Sequence, residues 1–281
     1  MRAALKETGV DPLDTDTAFL GSIPQVYDRY LVPLIFEPYA ADLALRTVRR
    51  QPSRVLEIAA GTGVVTRQLS EMLPPAVSIV ATDLNQTMLD EAAAVGTARP
   101  VEWRQADALH LPFPDTFFDV VVCQFGVMFF PDKARAFAEA RRVLRSGGQF
   151  IFNVWDRIED NDFADTVTRA LETLFPDDPP RFLARVPHGY HDPSVIAQDL
   201  AQGGFTGVPQ VTTLPARSRA VSPRIPAVAY CQGTPLRGEI EARGPSRLLE
   251  ATDIATSAIA HRFGSESVDG KIQAHIVTID V

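Results

Sequence analysis

Residues 55–63 read Val-Leu-Glu-Ile-Ala-Ala-Gly-Thr-Gly, an apolar run with one carboxylate that ends in a glycine turn. Without side chains, Gly61 and Gly63 let the backbone reverse sharply and let a ligand come against it. The Val64–Met72 pattern that follows predicts a helix whose N-terminus faces that ligand, so strand, turn and helix together describe a nucleotide-type cofactor site. Two cofactor classes compete for such a loop. A dinucleotide wants G-x-G-x-x-G, whose third glycine eases helix–strand packing over the pyrophosphate, and here that position is Thr66. Glu57 suits a ligand with a cationic amino-acid moiety better than one with two phosphates. The loop alone leaves both open.

The next strand narrows the choice. Ser78–Thr82 is short, apolar and β-branched, and it ends in Asp83, about twenty residues past the glycine turn, where a carboxylate can accept from both ribose hydroxyls. A turn or cap role is the other reading of Asp83, although Asn85 already precedes the helical pattern Gln86–Ala94 as a cap. Arg104–Ala108 ends a third strand. Phe117–Cys123 is an uninterrupted apolar run, which implies burial on both faces of a parallel sheet. Four strand ends then converge on one crevice.

The pieces VLEIAAGTGVVT, ATDLNQTML, RQADALHLPFPDTFFDVVVCQFGVMFF and ARRVLRSGGQFIFNVWD lie in order within residues 54–156. In this set the chain resembles the class I S-adenosylmethionine-dependent methyltransferases, most closely the type 11 group that includes the ubiquinone/menaquinone-biosynthesis C-methyltransferases. The resemblance implies an α/β fold: a Rossmann-like methyltransferase sheet, mostly parallel with the last strand antiparallel, with helices on both faces and helical cap segments. It implies S-adenosylmethionine as cofactor. Glu57, Ala59, Gly61 and Gly63 would line its methionine part, mostly through backbone, and Asp83 would bind the ribose. Leu84 and Met88 would pack on the adenine, Asp107 and Ala108 would meet the adenine edge, and Gln124 and Phe125 would close over the methionine end. A core-facing Met88 and a strand-end cap at Asp107 remain open. Ala59 stands where the usual E/D-x-G-x-G-x-G has its first glycine, and its methyl narrows the loop.

Composition removes other classes. The formal charge of −8 and a pI near 5.2 argue against a phosphate-tracking surface. Arg141, Arg142 and Arg145 read as the solvated face of a helix whose Phe137, Ala140 and Leu144 face inward. No apolar run approaches a membrane span, and the opening MRAALKETGVDPLD lacks a signal peptide's apolar core, so a cytoplasmic protein is expected. Cys123 and Cys231 give neither a disulfide framework nor a metal cluster, and both read as core. The expected partner is a small-molecule acceptor, with no nucleic acid and no integral membrane segment, and a homodimer stays open.

Three parts are expected: a helical cap over residues 1–50, a cofactor-binding core over 51–156, and the rest of the core over 157–281 with cap insertions at about 157–190 and 218–270. Tyr27 and Tyr30 lie in an aromatic-rich helical stretch and either reach the cofactor or acceptor or pack on the core. Phe163, Val167, Leu171, Leu174 and Phe175 form one apolar stripe, which fits a lid as well as a plain helix-on-sheet contact. A sixth strand is expected near Val208–Leu214 and the last at His275–Val281.

The chemistry asked of such a protein is modest. A sulfonium is already an electrophile, so methyl transfer is an in-line displacement with the acceptor atom held about 3–3.5 Å away and water excluded. A general base is needed only if the acceptor loses a proton. His188 and His191, in the turn His-Gly-Tyr-His, are the catalytic candidates, with His110 a third titratable group. The reading is methyl transfer to a small, largely apolar acceptor without a metal. O- or N-methylation of a natural product and a non-catalytic cofactor-binding module are the alternatives.

Overall fold

The computed structural model describes residues 16, 17, 19 and 21–281, so the opening segment considered for a leader lies outside the described residues. Helix α1 (Ile23–Val26) runs into a π-helical stretch, Tyr27–Phe36, and then into α2 (Glu37–Arg49). The core follows as β1 (Arg54–Glu57), α3 (Val64–Met72), β2 (Ser78–Asp83), α4 (Gln86–Val95), β3 (Glu102–Gln105), β4 (Phe118–Gln124), α5 (Lys133–Val143) and β5 (Leu144–Trp155). Then come α6 (Asp162–Leu174), α7 (Phe182–Arg185), α8 (Pro193–Gln202), β6 (Gln210–Ala220), α9 (Arg224–Gln232), α10 (Leu236–Ala242), α11 (Arg247–Phe263) and β7 (Val268–Asp280).

The seven strands form one sheet in the order β3-β2-β1-β4-β5-β7-β6. All pairs from β3 to β5 are parallel, and β7 is antiparallel to both its neighbours. Val120, Val121, Val122 and Cys123 on β4 are fully buried, as helices on both faces of a parallel sheet require. Strand order reverses between β1 and β4. Ligands of open α/β sheets bind beyond the carboxyl ends of the strands at such a switch point.

Three expectations need correction. Strand β7 starts at Val268, and β6 reaches Ala220, so both strands run further than the sequence pattern suggested. Their extra length pairs Pro215–Ala220 with Val268–Gln273 beyond the last β5 partner, Trp155. Gly270 and the polar Asp269, Lys271 and Gln273 hid this arm, because only one of its faces is buried. The 218–270 insertion is correspondingly shorter, its helices being α9, α10 and α11.

Of the two readings open for the stripe on α6, its burial fits the plain packing contact. Phe163, Val167 and Leu171 are fully buried, with Phe163 against Gly270 of β7 and edge-on to Phe263 of α11. Arg142 is not part of a solvated face. Its guanidinium binds Glu139, Asp115 and the carbonyls of Leu111 and Phe113, clamping the loop before β4. Arg145 lies on β5 and pairs with Asp119 at 2.8 Å. Tyr30 packs at the core margin beneath Arg29 and lines neither cavity described below.

Candidate active site

The turn after β1 is built around the two glycines. Gly61 and Gly63 have φ of +56° and +82°, in the left-handed region where a β-carbon is disfavoured. A β-carbon on Gly63 would meet the Trp103 ring at 2.9 Å, so this glycine serves close packing, and it does not reach the ligand side. Ala59 also has a positive φ, +54°. Its methyl fits because residue 126 is glycine: a β-carbon there would lie 2.5 Å from that of Ala59. Phe125, at φ +50°, is held by its N–H, which donates to Asn153 Oδ1 at 2.8 Å. Strained non-glycine residues clustered at strand ends are characteristic of ligand sites.

These strand ends border a cleft enclosing about 820 Å³, open solvent included. Tyr27, Ala59, Gly61, Asp83, Leu84, Met88, Asp107, Ala108, Gln124 and Phe125 line it. Asp83 Oδ2 accepts from the Gly61 N–H and Oδ1 from the Asn85 N–H, both at 2.8 Å, so the carboxylate locks the glycine turn to the end of β2. Burial raises its pKa, against the opposing pull of those donors. Asp107 Oδ1 accepts from the Leu109 N–H while its residue still borders the cleft.

Two expected residues lie outside the cleft lining. Gly63 points into packing, as described. Glu57 lies under the turn, 1% exposed and outside the cleft lining, and Thr66 donates to its Oε2 at 2.5 Å. Burial pushes this carboxyl up to about 8, with Thr66 and then Arg67 opposing and Asp83 adding to the rise. Thr66, the residue that broke the dinucleotide pattern, is thus the partner of the buried acid.

A second cavity, enclosing about 560 Å³ with open solvent included, adjoins the first and shares Phe19, Tyr27, Phe125 and Phe129 with it. Its remaining wall comes from the π-helical stretch, the end of β5, the α7 turn and the 230–235 segment, with Leu31, Trp155, Phe182, His188 and Tyr230 prominent. Trp155 stacks on Phe125 at 3.8 Å between ring centroids, which ties this wall to the β4 strand end. His188 is buried, and its Nδ1 lies 2.8 Å from the Asp156 carbonyl. A carbonyl only accepts, so Nδ1 carries the proton and Nε2 the lone pair. Burial lowers the His188 pKa to about 4.

His191 lines neither cavity, and its Nδ1 meets the His188 carbonyl at 2.9 Å, which buttresses the turn. His110 sits at the surface beside Asp107. The sequence reading missed Phe129, Trp155, Phe182 and Tyr230. Phe129 and Trp155 lay inside the quoted motif pieces, whereas nothing local marks Phe182 or Tyr230.

The profile described as methyltransferase domain matches residues 56–152. The chain contains a class I S-adenosylmethionine-dependent methyltransferase domain. Over 106 residues it is 42% identical to the ubiquinone/menaquinone biosynthesis C-methyltransferase UbiE of Stutzerimonas stutzeri, covering 36% of this chain and 41% of that one. The protein of the same name from Saccharophagus degradans is 40% identical over the same length, with 43% of it covered. The match spans less than half the length of these curated relatives.

The crystal structure of YcgJ from Bacillus subtilis shares the fold, with a TM-score of 0.53 at 19% identity, covering 86% of this chain and 97% of that one. A putative methyltransferase from Bacillus halodurans gives 0.52 at 20% identity, over 85% and 98%. Within the methyltransferase domain the cofactor is S-adenosylmethionine, and the cleft suits it. Asp83 keeps lone pairs for ribose hydroxyls, and Gln124 Oε1 is buried without a partner while its Nε2 reaches the Phe36 carbonyl at 3.4 Å. That orphan acceptor can take an N–H from an ammonium group.

Proposed function

We propose that the protein transfers a methyl group from S-adenosylmethionine to a small, largely apolar acceptor seated in the second cavity. The observation that carries this reading is the shared wall: Tyr27, Phe125, Phe129 and Phe19 border both the cofactor cleft and an aromatic compartment beside it. When bound, the cofactor supplies an electrophilic methyl on a positively charged sulfur. Asp83 binds its ribose, Leu84 and Met88 flank its adenine, and Gln124 accepts from its ammonium. The aromatic wall excludes water from the meeting point of the cavities, which favours displacement by the acceptor.

The relatives' names do not transfer an acceptor. Of the residues around the second cavity, only Phe125 and Phe129 fall within the matched residues 56–152. The acceptor wall is otherwise built by segments outside the matched domain.

The test is calorimetry with S-adenosylmethionine, its demethylated product and NAD, followed by an acceptor screen against quinols, phenols and amines. The adenosyl ligands should bind and NAD should not. Ligand at about a hundred times its dissociation constant should add roughly 2.7 kcal/mol of stability. Binding of NAD alone overturns the reading, and cofactor binding with no turnover of any acceptor returns the non-catalytic alternative.

A further inference from the structure

We propose that the second cavity selects an uncharged acceptor that donates one hydrogen bond to Nε2 of His188. This rests on the proposed function and adds the chemistry of what the acceptor must present. Three observations support it.

Among the described residues, no Asp, Glu, Lys or Arg lines the cavity. A charged acceptor would lose its hydration there without gaining a counter-charge, a cost far above that of burying a neutral body. The occupant is therefore neutral.

Two polar side chains of the wall, Asn161 and Thr234, are already committed, and the Tyr27 and Tyr230 hydroxyls and the Trp155 indole N–H beside them can each donate. Asn161 Nδ2 donates to the Arg157 and Gln273 carbonyls at 3.0 and 3.3 Å, and its Oδ1 accepts from the Gln273 N–H at 3.0 Å. Thr234 Oγ1 donates to the Tyr230 carbonyl at 2.7 Å and accepts from the Leu236 N–H at 3.2 Å. His188 Nδ1 is spent on the Asp156 carbonyl, which leaves Nε2 as an uncommitted acceptor on the wall. An occupant that offers an O–H or N–H satisfies it, and one that offers only acceptors leaves it unpaired.

The ring is held for this. Asp156 is itself buried: its carboxylate accepts from Gln273 Nε2 at 2.7 Å and lies 3.3 Å from His275 Nε2, both on β7. The backbone carbonyl that fixes the His188 tautomer is thus anchored to the sheet. The His188 N–H donates to the Leu183 carbonyl at 3.0 Å, which closes the turn around the ring. A burial-lowered pKa of about 4 keeps Nε2 an acceptor throughout the neutral range.

The test uses the full chain saturated with S-adenosylhomocysteine and three probes of one shape: naphthol, methoxynaphthalene and naphthoate. Naphthol should bind about tenfold more tightly than methoxynaphthalene, as one retained hydrogen bond implies, and naphthoate should bind weakest. His188→Phe should bring the two neutral probes to within about twofold, and His188→Gln, which keeps an acceptor oxygen, should restore a preference for naphthol. S-adenosylhomocysteine affinity should be unchanged in both variants. In nitrogen-labelled wild type, the His188 Nε2 resonance should move with naphthol and stay with methoxynaphthalene, which carries the test even if a variant fails to fold. Equal affinity of the neutral probes, a preference that survives His188→Phe, tightest binding of naphthoate, or no binding of either neutral probe overturns the proposal. Failure of S-adenosylhomocysteine to bind overturns the cofactor reading instead, so the two are separable.

Discussion

The cofactor cleft takes nearly all its lining from residues 58–131, a run of strand ends and turns, whereas the second cavity collects Leu31, Trp155, Phe182, His188 and Tyr230 from four separate stretches of chain. In the first region, function is written in local geometry: positive-φ residues, a carboxylate bonded to two backbone N–H groups, and a buried acid paired to the next helix. In the second, each residue is an ordinary hydrophobe or turn residue that gains meaning only from its neighbours in space. A cofactor loop is constrained by backbone approach, and an acceptor wall only by shape, which many sequences supply.

Four substitutions can break or sharpen this contrast. The largest effect is expected from neither region but from the core beside the second. Leu171→Ala should cost about 3 kcal/mol and lower Tm by roughly 10 °C, since the side chain is fully buried, while cofactor affinity in the folded protein stays unchanged. Calorimetric melting decides it; a normal Tm with lost turnover would restore the lid.

Gly63→Val should come next. It places a β-branched side chain at φ +82° and against Trp103, so a loss of about 2–3 kcal/mol is expected together with weakened S-adenosylmethionine binding. Urea unfolding would show whether the turn tolerates it.

Asp83→Ala removes the acceptor shared by Gly61 and Asn85 and the ribose partner together. Cofactor affinity should fall by roughly ten- to a hundredfold, as loss of hydrogen bonds to a charged group implies, measured by titration calorimetry. Unchanged affinity would confine Asp83 to holding the turn.

The smallest effect is a pH slope. Glu57 has its carboxyl raised to about 8 from 4.5, so the folded state retains a proton that the unfolded state releases. Its contribution is present below about pH 4.5 and declines, by about 1 kcal/mol per unit, as pH rises towards 8. His188, lowered to about 4 from 6.5, acts oppositely, and its contribution is lost as pH falls from 6.5 to 4. The two offset each other between about pH 4.5 and 6.5, leaving the Glu57 decline visible above that window. Glu57→Gln should keep the Thr66 contact and flatten this decline in a Tm series; an unchanged slope would show that Glu57 is ionised in the fold.

Gly61, Asp83 and Gln124 were legible because each sits where strand, turn and helix signals meet, and β4 was legible because an unbroken apolar run has few other homes. Glu57 was placed correctly along the chain but not in depth: a strand-end carboxylate looks the same whether it faces a ligand or Thr66 beneath the turn. The Phe163–Leu171 stripe left two readings open for a similar reason. Periodicity reports that one face is covered, not what covers it.

By itself, then, the sequence determined the order of strands and turns, the glycine loop, and the family to which residues 56–152 belong, because these depend on contacts between near neighbours and on backbone freedom. Only the tertiary structure decided that Gly126 makes room for Ala59, that Asp156 on the sheet orients His188, and that Tyr27 and Tyr230 face one compartment. Those pairings join residues far apart in the chain, where no local propensity acts and close packing of the folded core alone selects the partners.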